Sequence, residues 1–194
     1  MEYKTRINYL RNEISKADVD SVLITDKENI RYYSGFTGTL AYLIINLDKS
    51  IIVTDSRYTI RAKEECPDYE VYQLKSGDNW IENITNSMDS KIIGFEGSNI
   101  TFNMLEQLKV RINKQVEWKD FSTPITLGRI IKSDSEVKLI EAAINISDTA
   151  FNKVEKQIKA GITEKEISWE IEKTMRELGA ESPSFDTIVA SGTN

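Results

Sequence analysis

Asp18 and Asp20 stand two residues apart in the run DVD. Carboxylates at i and i+2 of an extended segment point the same way, so this pair could share a cation. No third oxygen donor follows at a recognisable spacing, and the plainer reading is a loop ahead of a strand. Residues 29–39, NIRYYSGFTGT, set Gly35 and Gly38 around Phe36. That pattern suits a sharply turning loop that shows an aromatic ring outward, with an ordinary structural turn as the alternative. A Gly-x-x-Gly pair can also clamp a nucleic-acid backbone, but Phe36 and Thr37 between the glycines bring no cation to a phosphate. Tyr32, Tyr33 and Trp80 read as packing or surface anchors, and the single Cys66 as a small buried apolar group. The sequence has no histidine at all. Within these residues that excludes Ser-His-Asp, Cys-His and histidine-zinc sites, and leaves carboxylate, lysine, tyrosine or backbone chemistry.

Composition narrows the partners. With 31 acidic against 25 basic residues the net charge is −6, which repels phosphate backbones and anionic membranes, so neither nucleic acid nor a membrane is expected as a partner. The start, MEYKTRINYL, has no apolar stretch of the secretory kind, and one cysteine cannot form an internal disulfide. A cytoplasmic protein is the expectation. No apolar run approaches the roughly 18 residues that span a bilayer. At 194 residues, with 40% apolar and 29% charged, the chain is long enough for one domain and part of a second.

Strand and helix patterns alternate through the first 120 or so residues. Tyr3, Ile7, Leu10 and Ile14 repeat at helical spacing, with Lys4, Arg6 and Arg11 on the opposite side. SVLIT (21–25) reads as a buried strand, and AYLIINL (41–47) with IIVT (51–54) as a hairpin. Asp55 is placed to cap a helix over 56–66 that stops before Pro67. A strand follows at 69–74, then a helix capped by Asp78 that carries Ile81, Ile84 and Met88. KIIGF (91–95) is a further strand, and Phe102, Leu105, Leu108 and Ile112 mark another helix. The expected architecture is α/β, with helices on a parallel or mixed sheet.

Periodicity stops over 120–126, where Pro124 interrupts, so the boundary is placed there: domain one over 1–124, and the incomplete start of a second over 125–194. Beyond it, Ser133 and Glu136 form a capping box for a helix running to about 160, with Val137, Ile140, Ile144, Phe151, Val154 and Ile158 as its stripe. Thr163 and Glu166 form a second box, and Gly179 sits where a left-handed C-terminal residue belongs. SFDTIVAS (184–191) reads as the beginning of a strand. Two helices and one strand do not close a core, so these apolar stripes are expected to drive self-association.

Taken in order, NIRYYSGFTGT, TDSRYTIRA (54–62) and IGFEGSNITF (93–102) resemble the N-terminal domain of Xaa-Pro aminopeptidases, Xaa-Pro dipeptidases and creatinases. LGRIIKSDSEVKLIEAAINISDTAF (127–151), GITEKEIS (161–168) and GAESPSFDTIVASGTN (179–194) are similar to the opening of the pita-bread catalytic domain of the same family. The resemblance implies a creatinase/prolidase-type α/β domain with a mixed sheet flanked by helices, followed by the truncated start of an α+β pita-bread domain. It implies a parent metallopeptidase that cleaves peptides with proline at the second position, using two divalent ions, commonly manganese. In the family the metal ligands, two Asp, one His and two Glu, follow the Ser-Gly-x-Asn segment seen here at 191–194. This chain is therefore expected to bind no metal and to be inactive alone.

The resemblance also implies a homodimer in which Phe36, Thr37 and Gly38 lie on a loop that reaches the partner's substrate pocket, with Phe36 the first choice for closing it. Tyr33, Arg57 and Tyr58 would support that loop or the dimer contact, although Arg57 equally reads as a solvated residue at a capped helix start. Two other readings stand beside the peptidase: a non-enzymatic peptide- or protein-binding module of the same family, and a creatinase-type amidinohydrolase.

Overall fold

The computed structural model describes residues 2–112 and 115–194, which fall into two compact units, residues 1–131 and 132–194. The first is built on a six-stranded sheet of order β4-β3-β2-β1-β5-β6. Its strands are β1 (Ser21–Ile24), β2 (Tyr42–Asn46), β3 (Ser50–Thr54), β4 (Glu70–Gln73), β5 (Ile92–Phe95) and β6 (Glu117–Asp120). The helices of this unit are α1 (Glu2–Ala17), α2 (Lys27–Ser34), α3 (Thr59–Glu65), α4 (Trp80–Ser87), α5 (Phe102–Arg111) and α6 (Ser122–Leu127).

The sheet is mixed, as the family resemblance implies and as the alternation of strands and helices allows. β2 runs antiparallel to β1 and β3, while β1–β5, β3–β4 and β5–β6 are parallel. The hairpin turns because the Asn46 side chain accepts the N–H groups of Asp48 and Lys49, at 3.0 and 2.6 Å. Strand alternation then sorts the apolar residues into two layers. Val22, Ile24, Leu43, Ile45 and Ile52 pack with Ile7, Leu10 and Ile14 of α1, Ile30 and Tyr33 of α2, Ala62 of α3 and Ile125 of α6. Leu23, Ile44, Ile51, Val53 and Ile93 face the other way, onto Trp80, Ile81 and Ile84 of α4 and Leu108 of α5. The two edge strands, EVYQ and EWKD, are short and charged, which discourages pairing with another chain.

Several local expectations are corrected. The segment expected as a loop from Asn29 onward is helical as far as Ser34, because Asp26 accepts the Asn29 N–H at 2.9 Å and starts α2. Asp55 does not cap α3, which begins at Thr59. Its carboxylate is taken by the backbone and side chain of Arg57. Asp78 does not cap α4 either; it accepts from the Tyr72 hydroxyl at 2.6 Å, and Asn79 holds the cap position. β6 was not foreseen. Pro124 lies inside the first turn of α6, where a missing N–H costs nothing, and Ile125 is fully buried, so the first unit continues to residue 131 beyond the expected boundary at 124.

The second unit contains α7 (Asp134–Glu155) and α8 (Glu164–Glu177). Both expected capping boxes are present, Ser133 with Glu136 and Thr163 with Glu166. α7 stops at Glu155, short of 160, and Gly179 has the left-handed φ of 106° just beyond α8. Residues 184–191 form no strand: among the described residues they have no neighbouring strand to pair with, and Phe185 and Ile188 remain exposed. Val137, Ile140, Ile144 and Phe151 of α7 are exposed as well, while Val154 and Ala150 are buried.

Candidate functional site

The loop after α2 is built by glycine at both ends. Gly35 adopts φ 83° and returns its N–H to the Arg31 carbonyl at 2.8 Å, closing the helix. The Phe36 N–H then donates to Ser34 Oγ at 3.1 Å. The Phe36 ring does not face outward as the sequence suggested: it is 2% exposed and meets Tyr58 edge to face at 5.9 Å. Gly38 explains the inward turn. A Cβ there would stand 2.3 Å from Phe36 Cζ and 3.0 Å from Tyr58 Cδ1, so only glycine leaves the ring its place.

With Phe36 turned in, the outer surface of the loop is Thr37 and Thr39. The Thr37 N–H and hydroxyl both donate to the Glu65 carboxylate, at 2.8 and 2.6 Å. The Thr39 and Tyr58 hydroxyls are 2.8 Å apart, and Thr54 donates to the Leu40 carbonyl at 2.6 Å. The loop is thus held at residues 36, 37, 39 and 40, with the Thr37 and Thr39 hydroxyls engaged by Glu65 and Tyr58 on a fixed frame.

Arg57 and Arg61 place their guanidinium groups 5.3 and 5.8 Å from the centre of the Tyr58 ring. The Thr39 hydrogen bond, aided by those two charges, holds the Tyr58 phenol below its ordinary pKa. Arg57 also grips Asp55 through Nε and Nη2, at 3.0 and 2.7 Å, and this hydrogen bonding keeps the Asp55 carboxyl below the usual carboxylate range. Arg57 is exposed and Asp55 half-buried, so solvent screens the pair from the arginine side and it adds little to stability.

Tyr33 lies beneath this surface and is fully buried. Its hydroxyl donates to the Ile125 carbonyl at 2.7 Å, its own carbonyl accepts from Tyr69 at 3.1 Å, and burial pushes its phenol far above the ordinary range. Of the residues singled out in sequence, Phe36, Gly38 and Tyr58 form one cluster, Thr37 and Arg57 lie at its surface, and Tyr33 supports the helix that leads into it. Glu65 and Thr39 complete the cluster. Neither carries a sequence signal, since each is recognised only through a partner on another element.

The other candidates have structural roles. One Asp20 carboxylate oxygen accepts the N–H groups of Lys91 and Ile92, at 2.7 Å each, and so ties β5 to the turn before β1. Asp18 sits in a left-handed turn at φ 53°. Trp80 is buried and stacks on Tyr42 at 5.2 Å. Burial raises the Cys66 thiol to about 11, which makes it a poor nucleophile. A buried carboxylate that sequence reading passed over, Glu96, accepts from the N–H of Asp26 at 2.7 Å and from Asn29 Nδ2 at 2.6 Å, and also from the Thr25 N–H. It joins the end of β5 to the start of α2. Among the described residues no three carboxylate or thiol side chains come together as a metal cage.

Residues 6–131 match the creatinase/prolidase N-terminal domain, and residues 138–194 match metallopeptidase family M24. The uncharacterized peptidase YqhT of Bacillus subtilis is 35% identical over 190 residues, 96% of this chain and 53% of that protein. The Xaa-Pro dipeptidase of Pyrococcus furiosus is 32% identical over 191 residues, 97% of this chain and 53% of that one. Among solved structures, the Xaa-Pro dipeptidase from Bacillus anthracis superposes with a TM-score of 0.90 at 31% identity, covering 95% of this chain and 52% of that chain. The chain spans about half the length of the curated relatives it matches. By the match that takes in the whole sheet and the glycine-bounded loop, this chain belongs to the creatinase/prolidase N-terminal domain family.

Proposed function

We propose that this chain is the front half of a cytoplasmic Xaa-Pro peptidase, whose first unit pairs two copies and offers the 35–39 loop to the partner subunit's substrate pocket. The observation that carries the reading is the unbroken likeness to an Xaa-Pro dipeptidase through both units, at a TM-score of 0.90 over 95% of the chain. In this reading Thr37 faces the substrate, the buried Gly38 leaves the ring its room, and Phe36 works from below. Its buried ring, against Tyr58, holds the loop in the shape that an apolar, proline-sized pocket needs at its rim. Arg57 and Tyr58 stiffen the flank of the loop, and Tyr33 anchors the helix that delivers it.

Divalent ions, manganese in this reading, supply the activated water and the polarised carbonyl when bound. This chain lacks the histidine of the family's ligand set, and no hydrolytic step is assigned to its own side chains. The 194 residues alone are therefore expected to be inactive, and their role is pairing and shaping. Isothermal titration of the purified chain with manganese tests this division of labour: no stoichiometric sub-micromolar binding is expected, and such binding would overturn it. Reading the coding frame beyond Asn194 tests the parent's activity. An Asp, Asp, His, Glu, Glu set is expected there, and a frame that lacks it turns the reading to a non-enzymatic binding module.

A further inference from the structure

Three tyrosine hydroxyls converge on one short stretch of backbone at the end of the first unit. Tyr9 of α1 donates to the Pro124 carbonyl at 3.1 Å, Tyr33 of α2 to the Ile125 carbonyl at 2.7 Å, and Tyr32 to the Gly128 carbonyl. A fourth anchor follows at once: Arg129 Nη1 donates to Asn29 Oδ1 at 2.8 Å, and Asn29 in turn is held by the buried Glu96. Gly128 fits because it has no side chain. A Cβ there would stand 2.5 Å from the Tyr33 hydroxyl and 3.0 Å from Tyr9 Cε1. Arg6 closes the cluster from the far side, with its guanidinium 4.0 Å from the centre of the Tyr32 ring and a 2.8 Å hydrogen bond to the Tyr32 carbonyl. The last carbonyls of a short helix such as α6 have no partner within it and are ordinarily left to water.

The same two tyrosines, Tyr32 and Tyr33, belong to the last turn of α2, whose end at Gly35 opens the 35–39 loop. Tyr33 is gripped from both sides, giving its hydroxyl to residue 125 and receiving that of Tyr69 on its carbonyl. We infer that Tyr9, Tyr32, Tyr33 and Arg129 form a clamp that fixes the chain's exit from the first unit and couples the order of residues 124–129 to that of the 35–39 loop through α2. This makes the tyrosines positioning residues. The coupling stands on these contacts whatever the loop touches, while its use in shaping a substrate pocket rests on the function proposed above.

Hydrogen exchange on the full 194-residue chain, read on peptides covering 36–41 and 125–131, tests the coupling. Tyr33→Phe removes one hydroxyl and keeps the ring. It is expected to speed exchange in both peptides by roughly fivefold, the weight of one lost hydrogen bond of ordinary strength. Tyr9→Phe with Tyr32→Phe provides a second route that leaves the buried Tyr33 intact, and is expected to do the same. Ile84→Val, on the opposite face of the sheet, controls for general loosening and is expected to single out neither peptide. The clamp is refuted if 125–131 exchanges in the wild type at the rate of an unstructured peptide. The coupling is refuted if the tyrosine variants loosen 125–131 and leave 36–41 unchanged, or if Ile84→Val loosens both equally.

Discussion

Replacing Gly38 with alanine adds a single methyl group, and its effect can be worked from the geometry. The new Cβ would lie 2.3 Å from Phe36 Cζ and 2.7 Å from Cε1, well inside contact distance, against a ring that is 2% exposed. Gly38 is not among the glycines with left-handed φ, so the cost is steric and not conformational. Overpacking of this kind costs about 1–3 kcal/mol. Complete expulsion of the ring would cost roughly the 1.5–3 kcal/mol that burying such a side chain supplies. Both routes give about 2 kcal/mol, or a fall in Tm of roughly 6–10 °C for a unit of this size. Urea unfolding followed by tryptophan emission reads the effect. Trp80 is buried against Tyr42, whereas Trp169 is 62% exposed and changes little. In a Phe36→Ala background the methyl enters space that the ring has vacated, so Gly38→Ala should then cost less than about 0.5 kcal/mol. An equal cost in both backgrounds, or none in the wild type, would show that Gly38 is not there to seat Phe36.

Other outcomes follow from the same contacts. Glu96→Ala strands the N–H groups of Thr25 and Asp26 and the Asn29 amide, and should destabilise the first unit by about 3 kcal/mol in the same urea assay. Cys66 is held as a neutral thiol up to about 11, against an ordinary value of 9.0. Its folded pKa is raised, so its contribution is complete below pH 9 and is lost as pH climbs toward 11; Cys66→Ala should remove that part of the alkaline loss and leave the part due to Tyr33 and Tyr69. Ser133→Ala and Thr163→Ala each delete a cap and should cost α7 or α8 about 1 kcal/mol, visible as lost helical circular dichroism. Sedimentation of the chain at high concentration should show self-association that weakens on Ile144→Glu or Phe151→Glu, since both side chains are exposed on α7.

Features with local causes were legible in the sequence. The hairpin, the two capping boxes and the Ile7, Leu10 and Ile14 part of the α1 stripe each depend on residues a few positions apart, and each formed as read, while Tyr3, expected on the same stripe, is exposed. The misses share the opposite character. α2 reads as a loop from its paired aromatics and the glycines beyond it, yet Asp26 caps it through the Asn29 N–H. β6, with the polar sequence EWKD, becomes a strand only because β5 lies beside it, and 184–191 has no such neighbour among the described residues. Phe36 is the loop's aromatic, but its ring turns inward and not outward, since the space that Gly38 leaves exists only in three dimensions. Glu96 was missed because its partners are 67 to 71 residues away.

The most direct test of the account is hydrolysis by the protein translated from the complete coding frame, supplied with manganese and offered an Xaa-Pro dipeptide, a longer Xaa-Pro peptide and creatine. Cleavage of a bond before proline is predicted, with turnover reduced by Gly38→Ala at unchanged metal content. Hydrolysis of creatine alone, or of none of the three by a fully metal-loaded protein, would contradict the account.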